Sequence, residues 1–222
     1  MKGSHDLGGQ SEMGPINPEP EAEEPVFHAD WERRVFALTL ATGMLGKWNI
    51  DESRHARERQ DPLTYVQNSY YENWLEGLET LLLEKGLVDA EELVLATNIS
   101  SQTKELLSVP NPILATKILA SGVPSTMEAD SEPLYCIGDS VLVKASETAG
   151  HTRVPKYAQG VTGTVVAQLG CHNFPDSNAQ GIHEGKFLYR VSFSGVDLWS
   201  HSSTQTEVLI DLWEPYLGAA AN

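Results

Sequence analysis

Cysteine is scarce in this chain of 222 residues, which contains only Cys136 and Cys171. The two are far apart and form no C-x-x-C pair, so a disulfide scaffold and a cysteine-rich metal site are both excluded. Basic residues are also few, because 15 Lys and Arg stand against 31 Asp and Glu and give a formal net charge of −16. Such acidity argues against nucleic acid or an anionic membrane as the main partner.

Long apolar runs are missing as well, and no segment is long enough to cross a bilayer. The N-terminus has no apolar signal region, so we expect a reducing, cytoplasmic setting. The sequence also lacks the motifs of a self-contained enzyme, such as H-E-x-x-H, a P-loop, G-x-G-x-x-G or a His-Asp-Ser order. We therefore predict no metal ligands in this chain.

Proline, glycine and apolar residues divide the chain into four segments. Residues 1–30 are rich in Pro, Gly and Glu and are predicted to be an extended arm that wraps a partner, with a disordered arm as the alternative. Residues 31–104 have helical periodicity, and residues 105–133 are predicted to be a connection with one short helix. Residues 134–222 alternate as strands do and predict a small SH3-like β-barrel. The fold class is α+β.

Helix signals are strongest between residues 31 and 97. We predict one helix over Trp31–Met44, a short one capped by Asp51, a long one from Pro62 almost to Gly86, and one that starts after Asp89. A further short helix is expected within Ile113–Leu119. The strand signals cover Ser140–Lys144, Gly163–Ala167, Leu188–Phe193 and Glu207–Leu212.

Two arginines, Arg54 and Arg153, lie in segments whose patterns predict that they turn inward. A guanidinium is a permanently charged, planar fork of donors that suits oxyanions. For Arg54 the alternative is an ion pair with Glu58 one turn away, and for Arg153 it is a solvated loop. Arg57 and Arg59 are interpreted as a solvated basic face. Two such arginines suggest that the oxyanions they bind belong to a second chain.

Aromatic residues form a stripe on the long helix, where Tyr70, Tyr71 and Trp74 occupy consecutive turns. Such a stripe packs in a core or forms a pocket wall at a subunit surface, and Phe36 of the first helix could join it. Asp176, in Phe174-Pro175-Asp176-Ser177, is interpreted as a turn residue rather than a catalytic one.

A series of short segments follows in order along nearly the whole chain. These are Gly3–Gly9, Glu24–Phe27, Trp31-Glu32, Asp51–Arg54, Tyr70–Trp74, Glu84–Gly86, Gly150–Arg153, Gly160–Thr164, Pro175-Asp176, Asp197–Trp199 and Asp211–Leu217. No single segment is decisive, but their joint order and spacing resemble the β subunit of nitrile hydratase.

The resemblance implies a division of labour between two chains. This chain would be the β subunit, without a metal, of a hydro-lyase that converts nitriles to amides. The partner α subunit would hold cobalt, or alternatively iron, in a cluster of partly oxidised cysteines, and Trp74 is similar to the cobalt type. The assembly would be an αβ heterodimer or an α2β2 heterotetramer. By the resemblance, Arg54 and Arg153 bond to the oxidised cysteines, and Tyr70 places its hydroxyl near the substrate.

A substrate pocket is also implied by the resemblance. Its residues in this sequence are Phe36, Thr39, Ile50, Ser53, Tyr71 and Trp74. Ser53 stands where the family often has a bulky apolar residue, and Thr39 where the cobalt type often has an aromatic one. We therefore predict a wider and more polar pocket that accepts bulky or aromatic nitriles.

Three other interpretations compete with this one. A thiocyanate hydrolase-like subunit is disfavoured because that enzyme carries its helical and barrel parts on separate chains. An activator protein resembles only the helical half and would lack Arg153. A non-catalytic interaction module predicts instead that Arg54 and Arg153 are exposed and dispensable.

Overall fold

A computed structural model describes residues 3, 5–8, 13–95, 107–145, 150–199 and 206–220. The chain divides into two compact units, one of residues 12–123 and one of residues 1–11 together with 124–222. The first unit is helical and the second is built on an antiparallel sheet, so the predicted α+β class is confirmed. In the described ranges, no helix has both the length and the apolar character needed to cross a bilayer.

The first unit contains six helices among its described residues. They are α1 (Asp30–Gly43), α2 (Ile50–Glu58), α3 (Pro62–Gln67), α4 (Tyr70–Glu84), α5 (Ala90–Leu95) and α6 (Pro112–Ser121). Helices α1 and α2 both pack against α4. Val35, Ala56, Leu78 and Leu81 are buried at these contacts, because the apolar stripe of each helix faces its neighbours.

Two helix boundaries differ from the prediction. The long helix is interrupted at Asn68, whose extended backbone (ψ 144°) ends α3. A capping box then starts α4, in which the Glu72 carboxylate accepts a hydrogen bond from the Ser69 N–H at 2.7 Å. Asp51 does not cap α2 either, since the Asn49 side chain accepts from the N–H groups of Asp51 and Glu52.

The second unit is a five-stranded antiparallel sheet with the strand order β4-β3-β2-β1-β5. The strands are β1 (Ser140–Val143), β2 (Thr162–Asn173), β3 (Gly185–Ser194), β4 (Glu207–Trp213) and β5 (Leu217–Ala219). Two one-turn helices, α7 (Pro175–Asn178) and α8 (Gly195–Leu198), follow β2 and β3. Each predicted strand run overlaps one of the first four strands. A closed SH3-like barrel is not confirmed, because no described pairing joins β4 to β5.

One face of this sheet forms the core of the second unit. Alternate residues of β3, namely Tyr189, Val191 and Phe193, are buried against apolar residues of β1 and β4. Gly163 of β2 permits this packing, because a Cβ there would lie 2.6 Å from the Phe193 ring. The Tyr189 hydroxyl inside this core donates to the Glu214 carboxylate at 2.5 Å, so its polar end is satisfied.

Candidate functional site

Arg54 lies on α2, and its ion pair is local. Its Nη1 donates to the Asp51 carboxylate at 3.0 Å, and the Asp51 side chain is only 7% exposed. The expected inward orientation is not found, since 45% of the Arg54 side chain is exposed. The alternative pair with Glu58 is replaced by the pair with Asp51. The buried carboxylate thus fixes one edge of a guanidinium that faces outward.

Arg57, one turn further along α2, was not expected to be part of a site. Instead of lying on a solvated face it is half-buried, and its guanidinium carbon lies 4.0 Å from the centroid of the Trp74 ring. Its Nη2 donates to Ser53 Oγ at 3.0 Å. Burial, the main cause, lowers the pKa of Arg57. Its i,i+4 spacing from Ser53 is the one local signal for this placement.

Five aromatic rings, one of them the Trp74 ring under Arg57, contact one another and form what we call the aromatic cluster. Its members are Phe27, Phe36, Tyr70, Tyr71 and Trp74. The rings of Tyr70 and Tyr71 meet edge to face at 5.1 Å, and the Phe36 and Trp74 rings are 6.1 Å apart. Burial raises the pKa of Tyr71. The predicted meeting of Phe36 with the aromatic stripe is confirmed.

Phe27 is an addition to the predicted set. It precedes α1 in a segment rich in proline and glutamate, where helical periodicity gives no indication that a side chain packs. Its ring lies 5.4 Å from that of Tyr71 and 5.7 Å from that of Phe36. Part of the predicted arm thus contacts the helical unit itself.

The remaining predicted pocket residues lie on α1 and α2. Ser53 is buried, and Ile50 begins α2 with 58% of its surface exposed. Thr39 follows Phe36 by one turn of α1, and its Oγ1 is buried without a hydrogen-bond partner among the described residues. A buried hydroxyl with no partner is unfavourable, so Thr39 is a place where a ligand or water could donate a hydrogen bond.

Arg153, in the second unit, is an exposed residue of a loop that is held by the buried Tyr216. The Tyr216 hydroxyl accepts a hydrogen bond from the Arg153 backbone N–H at 3.1 Å and donates one to the Asp176 carboxylate. Burial raises the pKa of Asp176, and burial followed by the nearby Asp176 raises that of Tyr216. Asp176, interpreted from the sequence as a turn residue, lies in the one-turn helix α7 and also anchors the Arg153 loop through Tyr216.

The first residues of the chain contact this same loop. The Asp6 carboxylate accepts from the Lys156 N–H at 2.9 Å. Gly8 lies against Tyr157 so closely that a Cβ would come within 2.7 Å of the ring. A cavity of about 360 Å³ lies between this segment and the loop, and Arg153 is one of its lining residues. The loop is therefore supported from two sides, by Tyr216 and by the N-terminal segment.

The residues that the structure describes do not assemble a metal centre. Across the ranges that the structure describes, no group of three or more His, Cys, Asp or Glu could hold a metal ion. Cys136 is exposed and Cys171 is buried, and burial raises the pKa of the Cys171 thiol. A buried thiol with a raised pKa is poorly suited to ligate a metal as thiolate.

Comparison with known families covers both halves of the chain. The family described as "Nitrile hydratase beta subunit, N-terminal" matches residues 1–120, and "Nitrile hydratase beta subunit, C-terminal" matches residues 124–219. The chain belongs to the nitrile hydratase β-subunit family. The predicted resemblance is therefore confirmed over both units, and each half of the match contains one of the two predicted arginines.

Full-length relatives agree with this membership. The chain is 36% identical to the nitrile hydratase subunit beta of Pseudomonas putida, over 99% of this chain and 100% of the relative. It is 35% identical to the low-molecular weight cobalt-containing nitrile hydratase subunit beta of Rhodococcus rhodochrous, covering 98% and 99%. It is 34% identical to the cobalt-containing nitrile hydratase subunit beta of Pseudonocardia thermophila, covering 98% and 96%.

Proposed function

We propose that this nitrile hydratase β subunit completes an active site whose metal is held by an α subunit, and that the pair hydrates nitriles to amides. The observation that carries the proposal is the family match over residues 1–120 and 124–219, with Arg54 in the first part and Arg153 in the second. The relatives that the chain matches along its full length are named as nitrile hydratase subunits, which supports the same activity here.

The two arginines are proposed to bind the oxygens of oxidised cysteines on the α subunit. Charge-assisted, forked hydrogen bonds suit such buried anionic oxygens best. Arg54 is oriented for this by its 3.0 Å bond to Asp51, and the Arg153 backbone by its 3.1 Å bond to Tyr216. Because loss of either fork would leave a charge unpaired at the interface, we expect a cost of about 2–5 kcal/mol for each.

The aromatic cluster is proposed to form one wall of the substrate pocket. Tyr70, which is 67% exposed, would present its hydroxyl to the substrate. The other proposed pocket residues are Phe36, Thr39, Ile50, Ser53, Tyr71 and Trp74. Rings packed in this way exclude water and bind apolar parts of a nitrile, while the few hydroxyls among them orient it.

Cobalt is the proposed metal, because two of the full-length relatives are named as cobalt-containing. When bound in the α subunit, it would supply Lewis-acid chemistry toward the nitrile or a water. We propose an αβ heterodimer or α2β2 heterotetramer in the cytoplasm. Residues 1–30 would include the part that wraps the α subunit, residues 31–104 and 134–222 would be its helical and barrel domains, and residues 105–133 would connect them.

A curled, SH3-like form of the sheet is part of this proposal. Strand β2 has register shifts against β3 between Val165 and Ala167 and between Gln168 and Gly170. Bulges of this kind bend a strand and increase its twist, which favours a sheet that curls toward closure.

The test is purification of the tagged chain from cells that carry its native gene neighbourhood, followed by intact mass measurement and a nitrile hydration assay. We expect a stoichiometric second chain with oxygen-atom additions on cysteine, together with amide formation. Recovery of the chain alone, folded and without hydration activity, would contradict the proposal and favour the interaction module.

A further inference from the structure

Arg57 is held in one orientation by contacts from two helices. On α2, Ser53 Oγ accepts from its Nη2 at 3.0 Å. On α4, the Trp74 ring contacts the guanidinium, whose carbon lies 4.0 Å from the ring centroid. Gly77 provides room for the aliphatic part, because a Cβ at that position would lie 2.5 Å from Arg57 Cγ. A long, flexible side chain is thereby pre-organised, which reduces the entropy cost of binding a ligand.

Among the residues that the structure describes, no carboxylate lies within ion-pair distance of the Arg57 guanidinium. The two arginines that flank it in sequence have one, in the pairs Arg54–Asp51 at 3.0 Å and Arg59–Glu84 at 2.5 Å. Arg57 makes no such ion pair with a described residue, although it is half-buried. Desolvation, the largest cause, and the neighbouring Arg54 lower its pKa, while Tyr70 and Glu58 partly offset the shift. A half-buried cation whose pKa is lowered by desolvation gains stability when a ligand supplies a directly hydrogen-bonded anion.

The surroundings of Arg57 point to a small flat ligand. Trp74 lies directly under it, and the rings of Tyr70 and Tyr71 lie 5.6 and 5.9 Å from that of Trp74. Aromatic side chains stack on a planar ring of a ligand. The N–H groups of a guanidinium that is stacked on a ring can still donate two parallel hydrogen bonds to a carboxylate. The aromatic side chains and the guanidinium together match a ligand that has both an aromatic ring and a carboxylate.

We propose that Arg57 determines substrate specificity by selecting aromatic nitriles that carry a carboxylate on the side of the ring remote from the cyano group. The inference rests on the proposed function, since it takes the aromatic cluster as the substrate pocket. It also revises the expected width of that pocket. The room left by the small Ser53 side chain is used by Arg57, so the pocket is more polar at this point without being wider.

The test compares two nearly isosteric substrates, 4-cyanobenzoate and 4-methylbenzonitrile, with the assembled two-chain enzyme. The measured quantity is the ratio of kcat/KM for the acid to kcat/KM for the neutral nitrile. Wild type should prefer the acid, and Arg57→Met should lower the ratio about tenfold, as expected for loss of one charge-assisted hydrogen-bonded contact. Arg57→Lys, which keeps the charge without the fork, should lower it by a smaller factor.

Arg59→Met is the matched control. Arg59 is exposed and pairs with Glu84, so its loss should leave the ratio at the wild-type value. A ratio that does not change in Arg57→Met overturns the inference, as does an equal fall for both substrates. If Arg57→Met does not assemble, a wild-type ratio in Arg57→Lys has the same meaning.

The two proposals fail in distinguishable ways. Wild-type enzyme that hydrates neither these nitriles nor a small aliphatic one, such as acetonitrile, would overturn the proposed function together with the inference, whereas hydration of the aliphatic nitrile alone would overturn only the inference. Hydration of both aromatic nitriles, with a ratio that is independent of Arg57, would overturn the inference alone.

Discussion

Tyr216 acts through a single hydroxyl, which accepts from the Arg153 N–H and donates to the Asp176 carboxylate. Both partners depend on it, because Tyr216 is 5% exposed and water has little access to replace it. The residue positions the Arg153 loop without being part of the proposed contact to the α subunit.

Tyr216→Phe should therefore destabilise the Arg153 loop more than the hydrophobic core of the sheet. The ring is kept, but the Arg153 N–H and the Asp176 carboxylate each lose a partner, at a cost of about 1–3 kcal/mol. We expect a lower thermal unfolding midpoint and lower nitrile hydration activity of the assembled enzyme. Tyr135→Phe is the control, because the Tyr135 hydroxyl makes no hydrogen bond with a described residue. Equal effects of the two changes would contradict the positioning role.

The pH dependence of stability gives a second prediction, for Asp176. Burial raises its pKa, so the folded chain binds this proton more tightly than the unfolded chain does. The stabilisation is present below the ordinary pKa of an aspartate and is lost as the pH rises through the raised value. Asp176→Asn keeps an acceptor for Tyr216 and removes the titration. Between about pH 4 and pH 7, wild type should lose stability relative to this variant.

Thermal unfolding midpoints over that pH range test the prediction. The two curves should diverge steadily as the pH rises, because only wild type carries the raised Asp176 pKa. Parallel curves would mean that the Asp176 pKa is not raised.

At the level of single residues, the sequence predicts the site better than it predicts its contacts. The aromatic residues were found because their spacing of one turn places them on one face of α4. Arg54 and Arg57 also share a face, and the local pattern could not decide which of them is buried. That choice depends on Gly77, twenty residues away, whose missing side chain gives Arg57 its room.

Packing between α2 and α4 depends on that same glycine. Gly77 is buried, and an added Cβ would lie 2.5 Å from Arg57 Cγ and 3.3 Å from the Arg57 backbone N. Backbone atoms cannot move aside as a side-chain end can, so the helices would have to separate slightly. A close helix contact of this kind is intolerant of added volume.

Gly77→Ala should lower the thermal unfolding midpoint by about 4 °C or more, because overpacking outweighs the gain in helix propensity. Gly43→Ala is the control, since Gly43 ends α1 and a Cβ there would meet nothing within 4 Å. It should keep or slightly raise the midpoint. A Gly77→Ala midpoint at or above that of wild type would refute the close contact between the helices.

Element boundaries show where local signals compete. The pair Asp61-Pro62 and a continuous apolar stripe predict one long helix, whereas Ser69 with Glu72 three residues later is itself a start signal. The second signal prevails in the structure and separates α3 from α4. Strand β5, only three residues long, was not predicted, because Leu217–Ala219 is too short to show alternation.

At the scale of the whole molecule, the succession of helical and alternating patterns was enough to predict the α+β class. The contacts between residues far apart in sequence, which complete each unit, were not predictable in this way. Asp6 meets Lys156 across 150 positions of sequence, and no local pattern reports on such a contact. Nor does periodicity indicate whether a five-stranded sheet closes, since closure depends on how the edge strands meet.

The whole chain carries a formal charge of −16, and against this background two arginines are assigned to a partner's anions. Their exposure fits this assignment, because a cation reserved for another chain must be accessible before assembly. The interaction module predicts the same exposure but no loss of activity when either arginine is replaced. Only the assembled enzyme separates the two accounts.

The most direct measurement is kcat for nitrile hydration by assembled enzymes that carry Arg54→Lys or Arg153→Lys. Arg59→Lys and Arg190→Lys are controls, because these arginines form exposed pairs with Glu84 and Asp211. Lysine keeps the charge and loses the planar fork, so we predict a loss of roughly tenfold or more in each test variant and little change in the controls. Activity within about twofold of wild type in both test variants would contradict the proposed role of the two arginines.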